Sequence, residues 1–226
     1  MANTSTAGYG LRPVMTVGST PATSGQSEYQ IYGQGSTSGS AVTSKTFFKG
    51  DFVSINDGTG SLAAQKGYIQ DATYLATDDA GAGGVNWTNA ASPLLLGVFN
   101  GAYYVAGSTS KPTWTNSFLN GTTVDVDYPG SRGVNAFVLD NPQQEYNIRA
   151  NDSWTQADVG TSFNTGSNGA TGISGMSDER LGVDAAAAAT KALTLLRNAN
   201  VPDQMDPTVG GCDVVVVINK ASALFN

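Results

Sequence analysis

The side chains in this sequence that are best placed to do chemistry are carboxylates. Three Asp-containing segments place oxygen ligands beside glycine: "INDGTG" (55–60), "TDDAGAGG" (77–84) and "VDVDYPGSRG" (124–133). Calcium prefers such carboxylate and carbonyl oxygens. None of the three has the D-x-[DN]-x-[DN]-G-x5-E spacing of a calcium loop, and Asp-Gly pairs are common in turns. We therefore expect turns at these segments, with no bound metal and no cofactor.

The groups that most enzymes use for proton transfer and nucleophilic attack are missing. The 226 residues include no His, which excludes Ser-His-Asp and Cys-His arrangements and His metal sites. Glu28, Glu145 and Glu179 are the only glutamates and lie in unrelated contexts. "GISGM" (172–176) lacks the G-x-S-x-G spacing of a nucleophile elbow, and no Gly-rich stretch carries a phosphate-binding motif. The sequence therefore predicts a protein that is not an enzyme.

Composition and charge narrow the range of partners. Only 13% of the residues are charged, the net charge is -7, and the Lys and Arg residues are scattered, so the basic footprint of a nucleic-acid-binding protein is missing. No apolar run approaches the ~18 residues that span a bilayer. We expect neither nucleic acid nor a membrane as a partner. The first ten residues lack the regions of a signal peptide, which predicts synthesis in a host cytoplasm.

Short apolar segments separated by turn residues follow one another from residue 45 onward. "TFFKGDFVSIN" (46–56) predicts an apolar pair, a Lys-Gly-Asp turn and a strand. "PLLLGVFNGAYYVAG" (93–107) predicts a hairpin of two short strands across its Asn-Gly pair. "AFVLDNPQQEYNIRAND" (136–152) predicts two strands joined by a turn at "DNP". This spacing predicts an all-β fold, with a single β-barrel or sandwich domain over residues 45–226.

The last part of the chain contains one ambiguous and one clear segment. Five alanines at 185–189 favour a helix, whereas the alternation that follows favours a strand over 191–198, which we prefer. "CDVVVVINKASAL" (212–224) is typical of a central strand that is buried on both faces and paired with the preceding strand. Its single cysteine, Cys212, is expected to be a buried thiol.

Residues 1–44 differ from the rest because they are rich in Gly, Ser and Thr and carry few charges. Their apolar residues are too sparse to build a core that offsets the entropy of ordering the backbone. "YGLRPVMTV" (9–17), stiffened by its proline, predicts an extended strip that lies against another surface. We therefore expect an extended N-terminal arm that orders on docking. The residues expected to contact the partner are Tyr9, Leu11, Arg12, Pro13, Val14 and Met15.

Several segments taken together resemble a known family. They are "AGYGLRPV" (7–14), "FFKGDFV" (47–53), "LLLGVFNGAYYV" (94–105), "AFVLDNPQQEYNIRAND" (136–152) followed by "ADVGTSF" (157–163), and the late pair "TLLRNAN" and "VVVVIN" (194–219). This pattern of strands and turns resembles β-barrel proteins encoded among the structural genes of tailed bacteriophages, especially marine ones. Those proteins are similar to head decoration, or cement, proteins.

The resemblance implies a structural function in a virion. Its partner would be the major capsid protein, whose neighbouring subunits it would bridge from the outer surface of the capsid. Decoration proteins occur as trimers at local threefold positions and as dimers at twofold positions, so the resemblance implies a homo-oligomer, with the trimer favoured. In this mechanism the arm docks on foreign subunits. Finding the first two dozen residues inside the protein's own interior, with no foreign chain touching them, would contradict the decoration function.

Two other functional classes remain open. A receptor- or carbohydrate-binding module of a virion would stack exposed aromatic rings on sugars, although a core or interface position is the simpler explanation for each ring. The candidate rings are Trp87, Trp114, Trp154, Tyr103 and Tyr104. The other class is a major shell or other structural subunit. The chain is short for a full major capsid fold, and a minor shell function stays open.

Overall fold

The fold is all-β, as the sequence predicts. Among the residues that the computed structural model describes, a 3-10 turn at Gln156–Asp158 accompanies the strands, and each pairing of two strands is antiparallel. The sheets curl into a half-barrel. The residues that the structure describes are 8–17, 20–21, 25–31, 46–55, 67–71, 95–119, 121–125, 127, 133–167, 175–183, 191–199, 206–208 and 210–219.

The first sheet is built around the valine run near the C-terminal end of the chain. Its strands lie in the spatial order β12 (Ser162–Phe163), β15 (Leu193–Asn198), β16 (Asp213–Ile218), β11 (Gln144–Arg149), β1 (Arg12–Thr16) and β2 (Thr20–Pro21). β16 lies between β15 and β11, and most of its side chains are buried. The central valine strand and the strand at 191–198 are therefore confirmed. Residues 185–190 lie outside the described residues.

The second sheet is centred on one long strand. Its spatial order is β3 (Ser27–Gln30), β10 (Asn135–Leu139), β7 (Leu95–Ala106), β5 (Phe52–Ile55) and β6 (Ile69–Asp71), with β8 (Lys111–Thr115) paired to the far end of β7. Two short pairs complete the described strands. They are β4 (Phe47–Phe48) with β9 (Ser117–Phe118), and β13 (Thr165–Ser167) with β14 (Glu179–Leu181).

Two hydrophobic cores cover the two faces of the second sheet. The first core lies between the sheets, where Leu95 and Val98 of β7 join Tyr146 of β11 and Val214 of β16. The second core lies on the opposite face and contains Phe99 together with the aromatic side chains of β4 and β9. This double burial explains why the start of β7 is a continuous apolar run. Cys212 lies in the first core, so the prediction of a buried thiol is confirmed.

The predicted hairpin at the Asn-Gly pair of residues 93–107 is wrong. β7 continues through this pair without a turn, because β10 pairs with it on both sides of Asn100. The register shifts between Phe137 and Val138, opposite Asn100, so the asparagine is the extra residue of a β-bulge. A strand that already has ladder partners along its length gains more from continuing than from turning back on itself.

Residues 8–17, which we call the N-terminal strip, are part of the β-domain. The strip is extended, as predicted, but the surface it lies against belongs to its own chain, since β1 pairs with β11. The predicted division into an arm (1–44) and a domain (45–226) is therefore corrected for the strip and for β3, which pairs with β10. Residues 32–45, around the predicted boundary, lie outside the described residues.

Leu11 shows most directly how the strip is integrated. Its side chain is 2% exposed and belongs to the first core. Its backbone N–H donates to the carbonyl oxygen of Gly50 at 3.0 Å. The preceding Gly10 has a φ of +69°, and a Cβ there would lie 2.8 Å from the same carbonyl oxygen, so only glycine fits this approach. The apolar residues of the strip complete a core that other segments build.

Replacing Leu11 with Ala distinguishes an integrated strip from a detached arm. We expect Leu11→Ala to lower the free energy of unfolding by about 2–5 kcal/mol, because it leaves a cavity in the first core. Val17 is 50% exposed, and Val17→Ala should change the same quantity by less than about 0.5 kcal/mol. Urea denaturation followed by tryptophan fluorescence measures both. Equal, negligible effects of the two variants would show that the strip is detached.

Candidate functional site

Two features of the surface are candidates for function: the outward side of the N-terminal strip and a cluster of aromatic rings on the second sheet. Within the described ranges, no group of three or more His, Cys, Asp or Glu side chains is placed to hold a metal ion. Of the Asp-containing segments, 77–84 lies outside those ranges, and 55–60 and 124–133 are described only in part. No helix in the described part of the chain is long and apolar enough to cross a membrane.

The N-terminal strip is held in place by charged groups of the first sheet. The guanidinium carbon of Arg12 lies 4.1 Å from the centre of the Tyr9 ring, and that of Arg149 lies 5.4 Å from it. Arg149 also donates from Nε to Asp213 Oδ1 at 3.1 Å, in a buried ion pair between adjacent strands. The Tyr9 hydroxyl bonds to the same Asp213 carboxylate. Tyr9 is thus held in place by contacts within its own chain.

The far end of the strip is tied to the sheet in a similar way. The side-chain amide of Gln144 donates to the Met15 carbonyl oxygen at 2.9 Å. Arg197 forms an ion pair with the buried carboxylate of Glu145 and approaches the Met15 sulfur to 3.7 Å. The Val17 N–H donates to a carbonyl oxygen of the neighbouring turn at 2.8 Å. Both ends of the strip are therefore anchored before any partner is present.

The predicted contact residues of the strip fall into two groups. Leu11 is buried, so its prediction as a contact to a foreign chain is corrected, and Tyr9 is half-buried against its own sheet. The other four remain on the surface, because Arg12 and Pro13 are exposed and Val14 and Met15 are half-buried. The accessible part of the strip is its outward side, defined here as Arg12, Pro13, Val14, Met15 and the neighbouring Val17.

The position of the strip in the sheet limits how a neighbour can bind it. β1 and β2 form one edge of the first sheet, and each contains a proline, Pro13 and Pro21. Proline has no backbone N–H and is one of the devices that keep sheet edges from pairing with foreign strands. The strip therefore offers a neighbour its side chains rather than a free main-chain ladder.

The second candidate feature is a cluster of Tyr103, Trp114 and Phe137, which we call the aromatic platform. The Trp114 side chain is the most exposed of the large hydrophobic residues in the described part of the chain, at 66%. Its ring is stacked on that of Phe137, with centroids 5.1 Å apart and planes 13° apart. The Tyr103 ring lies 4.6 Å away at a tilt of 45°. One exposed indole is therefore packed against two neighbouring aromatic rings.

Strand register brings these three rings together. Tyr103 of β7 lies opposite Trp114 of β8, and Phe137 of β10 lies opposite Gly101 of β7. Because Gly101 has no side chain, the indole can reach across β7 and stack on Phe137. Gly101 also has a φ of +149°, and a Cβ there would lie 2.9 Å from the Thr115 carbonyl oxygen. Glycine is thus required at the point that the indole crosses.

Two of the remaining aromatic candidates, Trp154 and Tyr104, lie away from the platform. Trp154 is 6% exposed and lies in the first core. Tyr104 points to the opposite face, where it packs edge-on against Phe118 with ring centroids 5.5 Å apart. Trp87 lies outside the described residues. Phe137 was missed by the sequence analysis, since only the pairing of β10 with β7 reveals that it lies under Trp114.

Polar side chains of the adjacent edge strand border the platform. Glu28 of β3 lies opposite Phe137, and its carboxylate accepts a hydrogen bond from the amide of Asn135 at 3.5 Å. The side-chain amide of Asn100 donates to Gln26 at 2.7 Å. Glu28 and Gln26 are exposed, and Asn135 and Asn100 are half-buried. An aromatic surface and a border of amide and carboxylate groups therefore lie side by side.

Comparisons with known proteins leave both candidate surfaces without a precedent. No family model, no curated protein and no solved structure matches this chain.

The anchored tyrosines predict a pH dependence of stability. Burial and the neighbouring Asp213 carboxylate raise the pKa of Tyr9 above its usual range, and burial with a bond to Asp140 raises the pKa of Tyr29 to about 12. In the unfolded chain these hydroxyls ionise near pH ~10. The contribution of these two hydroxyls to the free energy of unfolding is therefore fully present below about pH 10, and that free energy falls as the pH rises further.

The variant Tyr9→Phe tests this dependence. It removes one group whose pKa differs between the folded and unfolded states, so we expect a shallower fall of the unfolding free energy above about pH 10. Denaturation midpoints measured between neutral and alkaline pH give the two slopes. An unchanged slope in the variant would contradict the placement of Tyr9 against Asp213.

Proposed function

We propose that this protein is a structural component of a tailed-bacteriophage virion that decorates the outer surface of the head. It binds the major capsid protein and bridges neighbouring subunits, which stabilises the shell. The sequence supports this proposal through the resemblance of several segments to head decoration proteins. The observation in the structure that carries the proposal is the outward side of the N-terminal strip, a partly apolar surface at the edge of a rigidly paired sheet.

The mechanism of docking differs from the one that the sequence predicts. An arm that orders only on the shell would have its contact residues free in the isolated protein, but Leu11 is buried and Tyr9 is anchored. We therefore propose that the strip docks as a preformed part of the domain. Less conformational entropy is then lost on binding, because the backbone of the strip is already ordered.

The chemistry of the outward side suits a contact with protein. Pro13 and Val17 are exposed apolar residues, and Val17 is 50% exposed. Arg12 brings a cation that can pair with a carboxylate on a capsid subunit. Each contact is modest, but repetition over a closed shell and assembly as a trimer or dimer multiply it through avidity.

The proposal is tested by adding the purified protein to heads that lack it. We expect cryo-electron microscopy to show the protein at one class of lattice position on the outer surface. Absence from all lattice positions would contradict the decoration function itself.

A matched pair of variants tests the docking surface. Val17 and Leu119 are almost equally exposed, at 50% and 51%. We expect Val17→Asp to weaken the affinity for the heads by about tenfold, measured as occupancy over a range of protein concentrations, as loss of a contact worth roughly 1.4 kcal/mol would. Leu119→Asp should leave occupancy unchanged. Equal occupancy of the two variants would show that the protein docks through another surface.

A further inference from the structure

We propose that the aromatic platform is a binding site for a neutral carbohydrate chain, with the Trp114 indole stacked on the apolar face of a pyranose ring. This site goes beyond shell docking and does not rest on it. The strip and the platform belong to different sheets, so the protein can use the first to bind a shell and the second to bind a glycan.

The size of the platform favours a small ligand over a protein. One aromatic side chain buries about 150–250 Å² when it is fully covered, so an exposed indole beside one half-buried phenol offers only a few hundred Å² at most. A stable protein interface needs about 800 Å² on each partner. The platform is therefore too small to form a stable protein interface by itself, whereas a small flat ligand can use most of its surface.

The geometry of the indole favours a flat ligand. Stacking on Phe137, with planes 13° apart, packs the Trp114 ring against a second ring, yet the residue remains 66% exposed. The tilted Tyr103 ring, with its centroid 4.6 Å away, restricts the indole further. Phe137 itself is only 8% exposed. A ring fixed in this way loses little conformational freedom when a second flat surface lies on it, which is the benefit of preorganisation.

The border of the platform favours a polyol among flat ligands. Glu28, Gln26, Asn135 and Asn100 supply carboxylate and amide groups that can bond to hydroxyls. A nucleobase would also stack on the indole. Its phosphates, however, would meet the Glu28 carboxylate on a protein with a net charge of -7, and none of the four border residues is basic. Sugars need no such counter-charge.

The experiment screens the full chain on a printed array of bacterial and plant oligosaccharides. Titration of soluble cellohexaose, maltohexaose and dextran fragments, followed by tryptophan fluorescence, then measures affinity. We expect saturable binding of at least one neutral oligosaccharide. We expect Trp114→Ala to weaken it by about tenfold or more, the loss expected for one aromatic stacking contact.

Two further variants separate binding from folding. Leu119→Ala removes a side chain that is 51% exposed and should leave the affinity unchanged. Glu28→Ala, at an exposed position of the border, should weaken binding without touching the rings. Thermal melting checks that each variant is folded. If Trp114→Ala does not fold, Trp114→Tyr, which keeps a flat ring, should retain binding that Glu28→Ala weakens.

Three results would overturn the site. They are the absence of binding to every neutral oligosaccharide at millimolar concentration, binding that Trp114→Ala and Glu28→Ala leave unchanged, and binding of oligothymidine or a proline-rich peptide in place of sugars. None of these results bears on occupancy of phage heads, so failure of the glycan site is distinguishable from failure of the decoration function.

Discussion

Strand β11 imposes the constraint on which this architecture depends. All but one of the β11 side chains are buried, and one edge of β11 pairs with β16. The backbone N–H and C=O groups of its other edge are shielded from water and therefore need partners within the protein. The N-terminal strip supplies them through β1, and Leu11 fills the first core at the same time. The Tyr9, Arg149 and Asp213 contacts then hold the start of the strip.

In the second sheet, strand β7 contributes to the cores at its start and to the exposed aromatic platform farther along. At its start, β7 is covered on one face by the first sheet and on the other by the second core. Beyond the bulge at Asn100, the rings of Tyr103, Trp114 and Phe137 lie together, and Trp114 is exposed. The two proposed binding surfaces, the outward side of the strip and the aromatic platform, thus lie where the sheets leave side chains uncovered.

Local signals in the sequence predicted the elements well and their pairing poorly. The Lys-Gly-Asp turn and the valine strand follow from residue types within a few positions. The pairing of Arg12 with Asn147, or of Phe137 with Gly101, depends on contacts between distant segments, and no local pattern encodes it. Composition was misleading for the N-terminal strip because a segment too poor in apolar residues to build a core can still complete one. The Asn-Gly pair misled for a related reason, since neighbouring strands on both edges made a bulge more favourable than a turn.

Hydrogen exchange of the isolated protein tests most directly whether the N-terminal strip is a preformed part of the domain. Amides of paired strands exchange only when the structure opens, whereas those of a free arm exchange as in an unfolded peptide. We expect the β1 amides that bond to β11 to be protected to nearly the same degree as those of β16. Exchange of β1 at the rate of an unfolded peptide, with β16 still protected, would contradict it.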